Sequence, residues 1–243
     1  MRTYLLFSLV IFFSLSCNGS GAKVTQSTQK MTSKTAKVVQ SPPVLSKDTL
    51  FDFENDVLGH LPANWSQDFT GGGTHTDWQV VDDEGNKVLA QLSQDHPNYH
   101  FNDIVFDGFK AQDVLLKVRW KGVKGRMDQG GGFIWRWQDK DNYYVVRANP
   151  LEDNVVLYKV ENGKRTDLPV LGKGRTYGVD VLPLGNDWNS LKLEVNGDLF
   201  IVYLNGKEIF RVRDKTFAQA GKVGLWTKAD AVTYFDDFQV VVE

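Results

Sequence analysis

Two arginines and a tyrosine near the middle of the chain have the types and spacing to recognise a polar ligand. Arg136, Tyr143 and Arg147 lie within residues 130–149, together with Gly132. Guanidinium groups donate several hydrogen bonds in a fixed planar array, and a phenol donates or accepts one. If these side chains share an exposed surface beside the glycine, they can hold the hydroxyl or carboxylate groups of a ligand.

The segment that must position them is predicted to be a β-hairpin. Aromatic and β-branched residues flank the polar turn 139–142, and residues 136 and 143 are placed opposite one another. Alternation then gives a core face, which consists of Phe133, Trp135, Trp137, Tyr144, Val146 and Ala148. It also gives a solvent-facing ligand surface, which consists of Gly132, Ile134, Arg136, Tyr143, Val145 and Arg147. In the alternative interpretation, the two arginines lie on a solvated face, pair with carboxylates and bind no ligand.

Three carboxylates near residue 50 alternate with aromatic residues. Asp52, Glu54 and Asp56 would lie on one side of a strand, with Phe51 and Phe53 on the other. The sequence leaves three interpretations open for them: a solvated edge, a calcium site, or a catalytic pair.

The calcium interpretation gains support from the other end of the chain. Strict alternation between residues 232 and 240 would point Asp236 inward among apolar side chains, where an unpaired charge is costly. A structural calcium ion shared by Asp52 or Glu54 with Asp236 or Asp237 would neutralise it, if the first and last strands are neighbours. A β-bulge that turns Asp236 out to water is the alternative.

Strands and tight turns recur throughout residues 48–243, without helical periodicity. Hairpins are indicated where turn dipeptides interrupt alternating apolar runs. Four such dipeptides are present, and three of them are flanked by alternating apolar runs: Asp107-Gly108, Asn162-Gly163, Asn196-Gly197 and Asn205-Gly206. The pattern predicts one all-β domain made of two packed antiparallel sheets.

The first 17 residues are typical of an exported lipoprotein. Met1-Arg2 precedes an apolar run that is too short to span a bilayer and that ends before Cys17, the single cysteine of the chain. This arrangement resembles the bacterial lipobox. We therefore expect residues 1–17 to be a lipoprotein signal peptide and Cys17 to carry the lipid. The expected location is the bacterial cell envelope, with lipid attachment in the outer membrane or periplasm; secretion after cleavage at a nearby site is the alternative.

Residues 18–47 are rich in Ser, Thr, Gln and Lys and are predicted to form a disordered tether. Six of the 28 basic residues precede Asp48, which leaves 22 against all 30 acidic residues, so residues 48–243 carry about −8. A domain this acidic is a poor nucleic-acid binder, and no nucleic-acid partner is expected.

Several segments resemble a known superfamily. These are Phe51-Asp52-Phe53-Glu54, the run from Gly59 to Trp65, the central hairpin, and the closing segments 221–227 and 234–238. In their order and spacing they resemble the concanavalin A-like lectin/glucanase superfamily, and within it the 3-keto-disaccharide hydrolase-like domains. The resemblance implies a jelly-roll β-sandwich whose concave sheet receives a saccharide.

Three functions compete at this point. The first is a carbohydrate-binding module that recognises an oligo- or polysaccharide through the predicted ligand surface. The second is a hydrolase that cleaves glycosidic bonds, with Glu152 or Asp153 as a candidate acid. The superfamily's Glu-x-Asp-x-Glu triplet is absent from the sequence, which argues against the second. The third is a structural envelope protein without a ligand.

Overall fold

The computed structural model describes residues 48–242, which contain strands and turns and no helix. No helix long and apolar enough to cross a membrane occurs in this range. The strands are β1 (Asp48–Phe51), β2 (Trp65–Gly71), β3 (Trp78–Asp83), β4 (Asn86–Gln91), β5 (His100–Phe106), β6 (Val114–Lys124), β7 (Gly131–Asp139), β8 (Asn142–Asn149), β9 (Asn154–Glu161), β10 (Lys164–Asp167), β11 (Val179–Asp180), β12 (Asn189–Asn196), β13 (Leu199–Leu204), β14 (Lys207–Arg213), β15 (Lys222–Lys228) and β16 (Val232–Val242). The predicted signal peptide, Cys17 and the tether lie outside the described residues.

The strands form two antiparallel sheets of eight strands each. The first sheet has the order β14-β13-β12-β6-β16-β4-β3, and β1 also pairs with β16. The second has the order β10-β9-β8-β7-β15-β5-β2, and β11 also pairs with β9. The predicted all-β jelly-roll sandwich is confirmed. The first and last described strands are neighbours, with Phe51 opposite Phe238.

Tight turns fix the register of three hairpins, and two of them lie at the predicted dipeptides. Asn162-Gly163 joins β9 to β10, and Asn205-Gly206 joins β13 to β14. All four of these residues have positive φ, which favours asparagine and glycine in two-residue hairpin loops. Between β12 and β13 the loop residues are Gly197 and Asp198, one position later than the dipeptide indicates.

The main core lies between the sheets. Alternate residues of β6, from Val114 to Trp120, are fully buried and pack with Phe133, Trp135 and Phe200. Trp135 stacks on Tyr144, with ring centroids 5.3 Å apart, and meets Phe200 edge to face. Aromatic rings of this size supply much of the apolar area that the fold buries.

A second buried cluster belongs to the second sheet alone. We call it the outer cluster, because its residues alternate along each strand with residues of the main core. It comprises Phe101, Val105, Ile134, Tyr143, Val145, Val156, Tyr158, Val160 and Trp226, with Trp137 packed against it. The second sheet is therefore buried on both faces, whereas antiparallel sheets commonly have one face in contact with solvent.

Candidate functional site

The second sheet curls until its outer face closes into a concavity. β8 and β2 are separated by three strands, which in a flat sheet would place them about 19 Å apart. Yet Tyr143 Oη on β8 lies 2.7 Å from Thr70 Oγ1 on β2. Arg165 of β10 likewise reaches the ring of Phe101 on β5, with 4.8 Å between guanidinium and ring centroid. The outer cluster fills the inside of this curl. We call the inside of the curl the concavity, and we call its half-buried edge at Trp137 and Asp68 the rim.

A buried carboxyl group lies at one end of the concavity. Tyr143 Oη donates a hydrogen bond of 3.3 Å to Asp103 Oδ1, and Asp103 is fully buried. The residue directly opposite on β2 is Asp68, which is half-buried. Burial, and then the charge of Asp68, raise the pKa of Asp103 well above its ordinary value. The neutral form that this favours can donate a hydrogen bond as well as accept one.

A buried guanidinium group lies at the other end. Arg147 donates to Glu152 Oε2 at 2.6 Å and to Tyr158 Oη at 3.1 Å, and it also bonds the side chain of Asn154. Burial opposes ionisation of Glu152, but Arg147 outweighs it, so that the pKa of Glu152 is lowered. Arg147 is thus neutralised and its donors are engaged, and it holds the β8–β9 connection together.

A second guanidinium group covers the outer cluster from β10. The Arg165 guanidinium lies 4.5 Å from the ring centroid of Tyr158 and 6.0 Å from that of Trp226, in addition to its contact with Phe101. The backbone N–H of Arg165 donates to Tyr99 Oη at 2.7 Å, and the same hydroxyl donates to Gly163 O. Cation–π contacts hold the Arg165 guanidinium, and the two hydrogen bonds of Tyr99 Oη, which we call the Tyr99 latch, hold its backbone.

Polar atoms without a partner converge on the concavity. Within residues 48–242, buried atoms that lack a hydrogen bond include Trp137 Nε1, Trp226 Nε1, Asp103 Oδ2 and Arg165 NH1. Burial, and then the charge of Asp103, raise the pKa of Tyr143 above its ordinary value, and the Trp226 indole only partly opposes this. The Trp137 indole likewise only partly opposes the raised pKa of Asp103, and neither indole has a hydrogen-bond partner in this range of residues. Buried polar groups are normally paired, so unpaired ones beside aromatic rings indicate a ligand surface.

Unpaired indole groups alone would not carry this conclusion. Trp78, Trp120 and Trp135 also have unpaired N–H groups, and they lie in the main core. The distinguishing observation is that carboxyl, guanidinium and indole groups meet on one surface.

Trp137 was expected in the main core, and that prediction is wrong. The pairing of β7 with β8 follows the predicted register from Gly131 to Trp135 and then shifts before Asp139. At this β-bulge Arg136 has a positive φ of 47°. A bulge reverses the alternation of the residues that follow it, so Trp137 packs against the outer cluster and is half-buried.

Arg136 was expected on the exposed ligand surface, and this too is wrong. It is 2% exposed, and it donates to Gln112 O at 2.8 Å, Phe217 O at 2.9 Å and Gly197 O at 2.6 Å. It also pairs with Asp113 at 3.1 Å. The bulge turns it away from the concavity, so that it ties together loops at one end of the sandwich.

The remaining residues of the predicted ligand surface lie in the concavity, but they are not exposed. Tyr143 and Arg147 are 0% and 2% exposed, because the curl of the sheet buries them. Gly132 does not leave space for a ligand. A Cβ added there would lie 1.9 Å from Val146 O, so the glycine allows close approach of the β8 backbone.

The four predicted calcium ligands do not form one cluster. Asp236 is buried and accepts hydrogen bonds from Asn86 at 3.1 Å and Arg119 at 3.3 Å, and Arg119 also pairs with Asp237 at 3.2 Å. A bulge is present, since the β16 register shifts after Asp236 and Asp237 has positive φ, but it does not turn Asp236 out to water, as the alternative required.

At the other end, Glu54 accepts from the backbone of Lys87, and Asp52 accepts from the backbone of Glu54. Both carboxylates are exposed. No group of three or more acidic, histidine or cysteine side chains suited to a metal occurs within residues 48–242. The shared calcium ion stays a prediction.

Asp103, Arg165 and Trp226 were not predicted as site residues. Asp103 stands between Asn102 and Ile104 in a strand of buried residues, and Trp226 follows Leu225 in another. Alternation places the residues of each strand on two faces, and the sequence contains no signal that both faces are enclosed.

The chain is similar in fold to several solved structures. A carbohydrate-binding module CBM66 from Bacillus subtilis is 21% identical, with a TM-score of 0.53 over 72% of this chain and 94% of the module. The cellulose-induced protein Cip1 is 14% identical, with a TM-score of 0.54 over 80% of this chain and 97% of that protein. A native glycosidic hydrolase is 12% identical, with a TM-score of 0.51 over 82% and 96%.

Neither a protein-family model nor a curated protein matches the chain. At these identities the structural likeness shows the fold alone. The jelly-roll sandwich that the resemblance to the concanavalin A-like lectin/glucanase superfamily implies is confirmed as the fold. The finer likeness to the 3-keto-disaccharide hydrolase-like domains stays a prediction.

Proposed function

We propose that this protein is a carbohydrate-binding module whose ligand lies at the rim of the concavity. The observation that carries the proposal is the meeting of unpaired Trp137, Trp226 and Asp103 polar atoms beside the rings of the outer cluster. Saccharides present apolar C–H faces and many hydroxyl groups, and they suit a surface of aromatic rings with a few convergent polar groups. The architecture is also that of a known carbohydrate-binding module.

The ligand reaches this surface beside the turn between β7 and β8. Trp137 and Asp68 are half-buried there, whereas Asp103 and Tyr143 lie deeper. The hydroxyl of Thr70 donates to Lys140 O, which fixes the turn against β2. A sugar ring on the Trp137 indole would direct its hydroxyl groups toward the two aspartates.

A glycan array with the full-length protein in detergent tests this proposal. Wild type should bind a set of related glycans, and Trp137→Ala should lose that binding while it stays folded. Absence of binding to any glycan would contradict the proposal and favour a structural envelope protein without a ligand.

Cleavage of a glycosidic bond is a second candidate, because a half-buried carboxyl group at the rim and a buried one behind it lie on neighbouring strands. Asp68 and Asp103 are cross-strand neighbours, whose β-carbons lie about 5 Å apart in such pairs. One is buried with a raised pKa and the other is half-buried, which is the division between acid and nucleophile that retaining glycosidases use. Glu152 serves instead as the partner of Arg147, and Asp153 accepts from Leu184 N.

Incubation of array-positive glycans with the protein separates binding from cleavage. Reducing ends that accumulate with wild type and not with Asp103→Asn would establish the enzyme. Binding without products would leave the module as the function.

We also propose export and lipid attachment at Cys17, on the basis of the sequence alone. Cys17→Ser should move the protein from the membrane to the soluble fraction and abolish fatty-acid labelling. A mutant that stays membrane-bound, together with unlabelled wild type, would contradict this.

A further inference from the structure

We propose that the saccharide is acidic and that Arg165 binds its carboxylate. This inference rests on the proposed function and names the class of sugar. The inference starts from the positive charge of Arg165, which no carboxylate of the described residues neutralises. Within residues 48–242 its guanidinium forms no ion pair and no hydrogen bond, and its NH1 is buried and unpaired. A partly desolvated charge gains strongly from an opposite charge.

The neighbouring charges do not neutralise Arg165. Asp167 lies on the same face of β10 but pairs with Arg175 at 2.9 Å, and Glu152 pairs with Arg147. Asp103 is held toward its neutral form. Arg147, the other arginine of the concavity, is paired with Glu152, so among the described residues of the concavity Arg165 is the arginine left for a ligand.

The guanidinium is held in a way that leaves its donors available. Three rings contact its face, and cation–π contacts use no N–H group. NH1 is buried, but Nε and NH2 form no hydrogen bond with a described residue and are not among the buried unpaired atoms, so this edge is free for the two parallel hydrogen bonds that a carboxylate accepts. Because the Tyr99 latch fixes the backbone, little conformational entropy remains to be lost when an anion binds.

Exposed tyrosines flank this arginine. Tyr99 is 44% exposed and packs on Phe101, and Tyr177 is 47% exposed and packs edge to face on Tyr158. Phe101 and Tyr158 are two of the rings under the guanidinium. A sugar ring stacked on either tyrosine would bring a carboxylate at its C5 position close to Arg165, which is the geometry of a uronic acid residue.

Unpaired buried groups elsewhere in the concavity agree with an acceptor-rich ligand. Trp137 and Trp226 each offer an N–H, and a neutral Asp103 offers an O–H. The unpaired acceptor nearby, Asp167 Oδ2, belongs to a carboxylate already paired with Arg175.

Isothermal titration of the full-length protein in detergent, with a matched pair of ligands, tests the inference. Oligogalacturonate and its methyl ester have the same sugar rings, and the charge is present only in the acid. Wild type should bind the acid at least tenfold more tightly, and added salt should weaken that binding. A sulfated glycan is a third ligand. It should bind less tightly than oligogalacturonate, because the proposed contact of Arg165 is with a carboxylate.

Arg165→Ala should remove the preference for the acid, and Arg165→Lys should restore it only in part, because lysine lacks the planar fork. Arg211→Ala is the control, since Arg211 is an exposed arginine paired with Glu208 on the first sheet. Should Arg165→Ala fail to fold, the acid and ester titrations of wild type decide the question.

Equal affinity for acid and ester, or unchanged binding by folded Arg165→Ala, would overturn the inference. Binding of neutral glycans alone would do so too and would leave the proposed function standing. Absence of binding to every glycan would remove both.

Discussion

The two arginines of the β7–β8 hairpin differ in role from Arg165 on β10, and the partners of each side chain decide its role. Arg136 bonds three carbonyl groups and Asp113, Arg147 pairs with Glu152, and neither is free for a ligand. Arg165 makes no such contacts and stacks on rings instead. Residue type alone predicted a ligand surface at Arg136 and Arg147, but a buried arginine that bonds several protein acceptors is part of the scaffold.

Arg136→Ala should therefore destabilise the fold and leave saccharide affinity per folded molecule unchanged. It removes four charge-assisted hydrogen bonds at a buried site, for which we expect about 3 kcal/mol. Chemical denaturation measures the loss, with Arg211→Ala as an exposed control. A stable Arg136→Ala variant that fails to bind saccharide would restore Arg136 to the site.

Asp103 should make stability depend on pH. Its pKa in the folded state is raised above the ordinary value of 3.8, so the folded state holds more proton than the unfolded state between those two values. The contribution of Asp103 to the free energy of unfolding is then fully present below pH 3.8, and it is lost as the pH rises from 3.8 through the raised pKa.

Asp103→Asn keeps the shape and removes the titration. Its melting temperature should exceed that of wild type at pH 7, and the difference should shrink toward pH 4. Melting curves of the two proteins that run parallel across this range would show that Asp103 ionises in the folded state as easily as in the unfolded one.

At the scale of elements, one bulge divides two tryptophans between the two faces of β7. Trp135 precedes the shift and lies in the main core, whereas Trp137 follows it and lies on the concavity. Trp135→Ala should cost about 3–5 kcal/mol of stability, because it leaves a large cavity against Tyr144 and Phe200. Denaturant titration measures this, and a loss below about 1 kcal/mol would place the core elsewhere.

Alternation and turn chemistry predicted the hairpin, its register and the faces of Phe133, Trp135, Tyr144, Val146 and Ala148. They failed at Arg136, because bulges often use glycine or asparagine at a positive φ and arginine gives no such signal. They failed at the second bulge too: Phe238 and Val240 lie in the core as alternation predicts, but before the bulge Phe235 lies there in place of Tyr234, and Asp236 pairs with Arg119.

At the scale of the whole molecule, the sandwich has a main core between the sheets and a second one inside the curl of the second sheet. The residue patterns predicted the sheets, and the resemblance implied a concave sheet, but neither predicted the contacts between distant strands that close the curl, such as Tyr143 with Thr70. The candidate site follows from that curl, which brings β5, β8 and β10 around one concavity.

Two tryptophans offer a direct comparison of the two sheets as ligand surfaces. Trp137 lies at the rim of the concavity, and Trp188 lies beside the first sheet, where Arg119 and Lys121 cover its ring at 4.8 and 5.1 Å. Both are half-buried, so replacement by alanine should leave both variants folded.

The affinity of the full-length Trp137→Ala and Trp188→Ala variants for an array-positive glycan is the measurement that tests the site most directly. Loss of a stacking ring should weaken binding by at least tenfold in Trp137→Ala and leave Trp188→Ala equal to wild type. Wild-type affinity in Trp137→Ala, together with loss of binding in Trp188→Ala, would contradict the assignment and place the ligand on the first sheet.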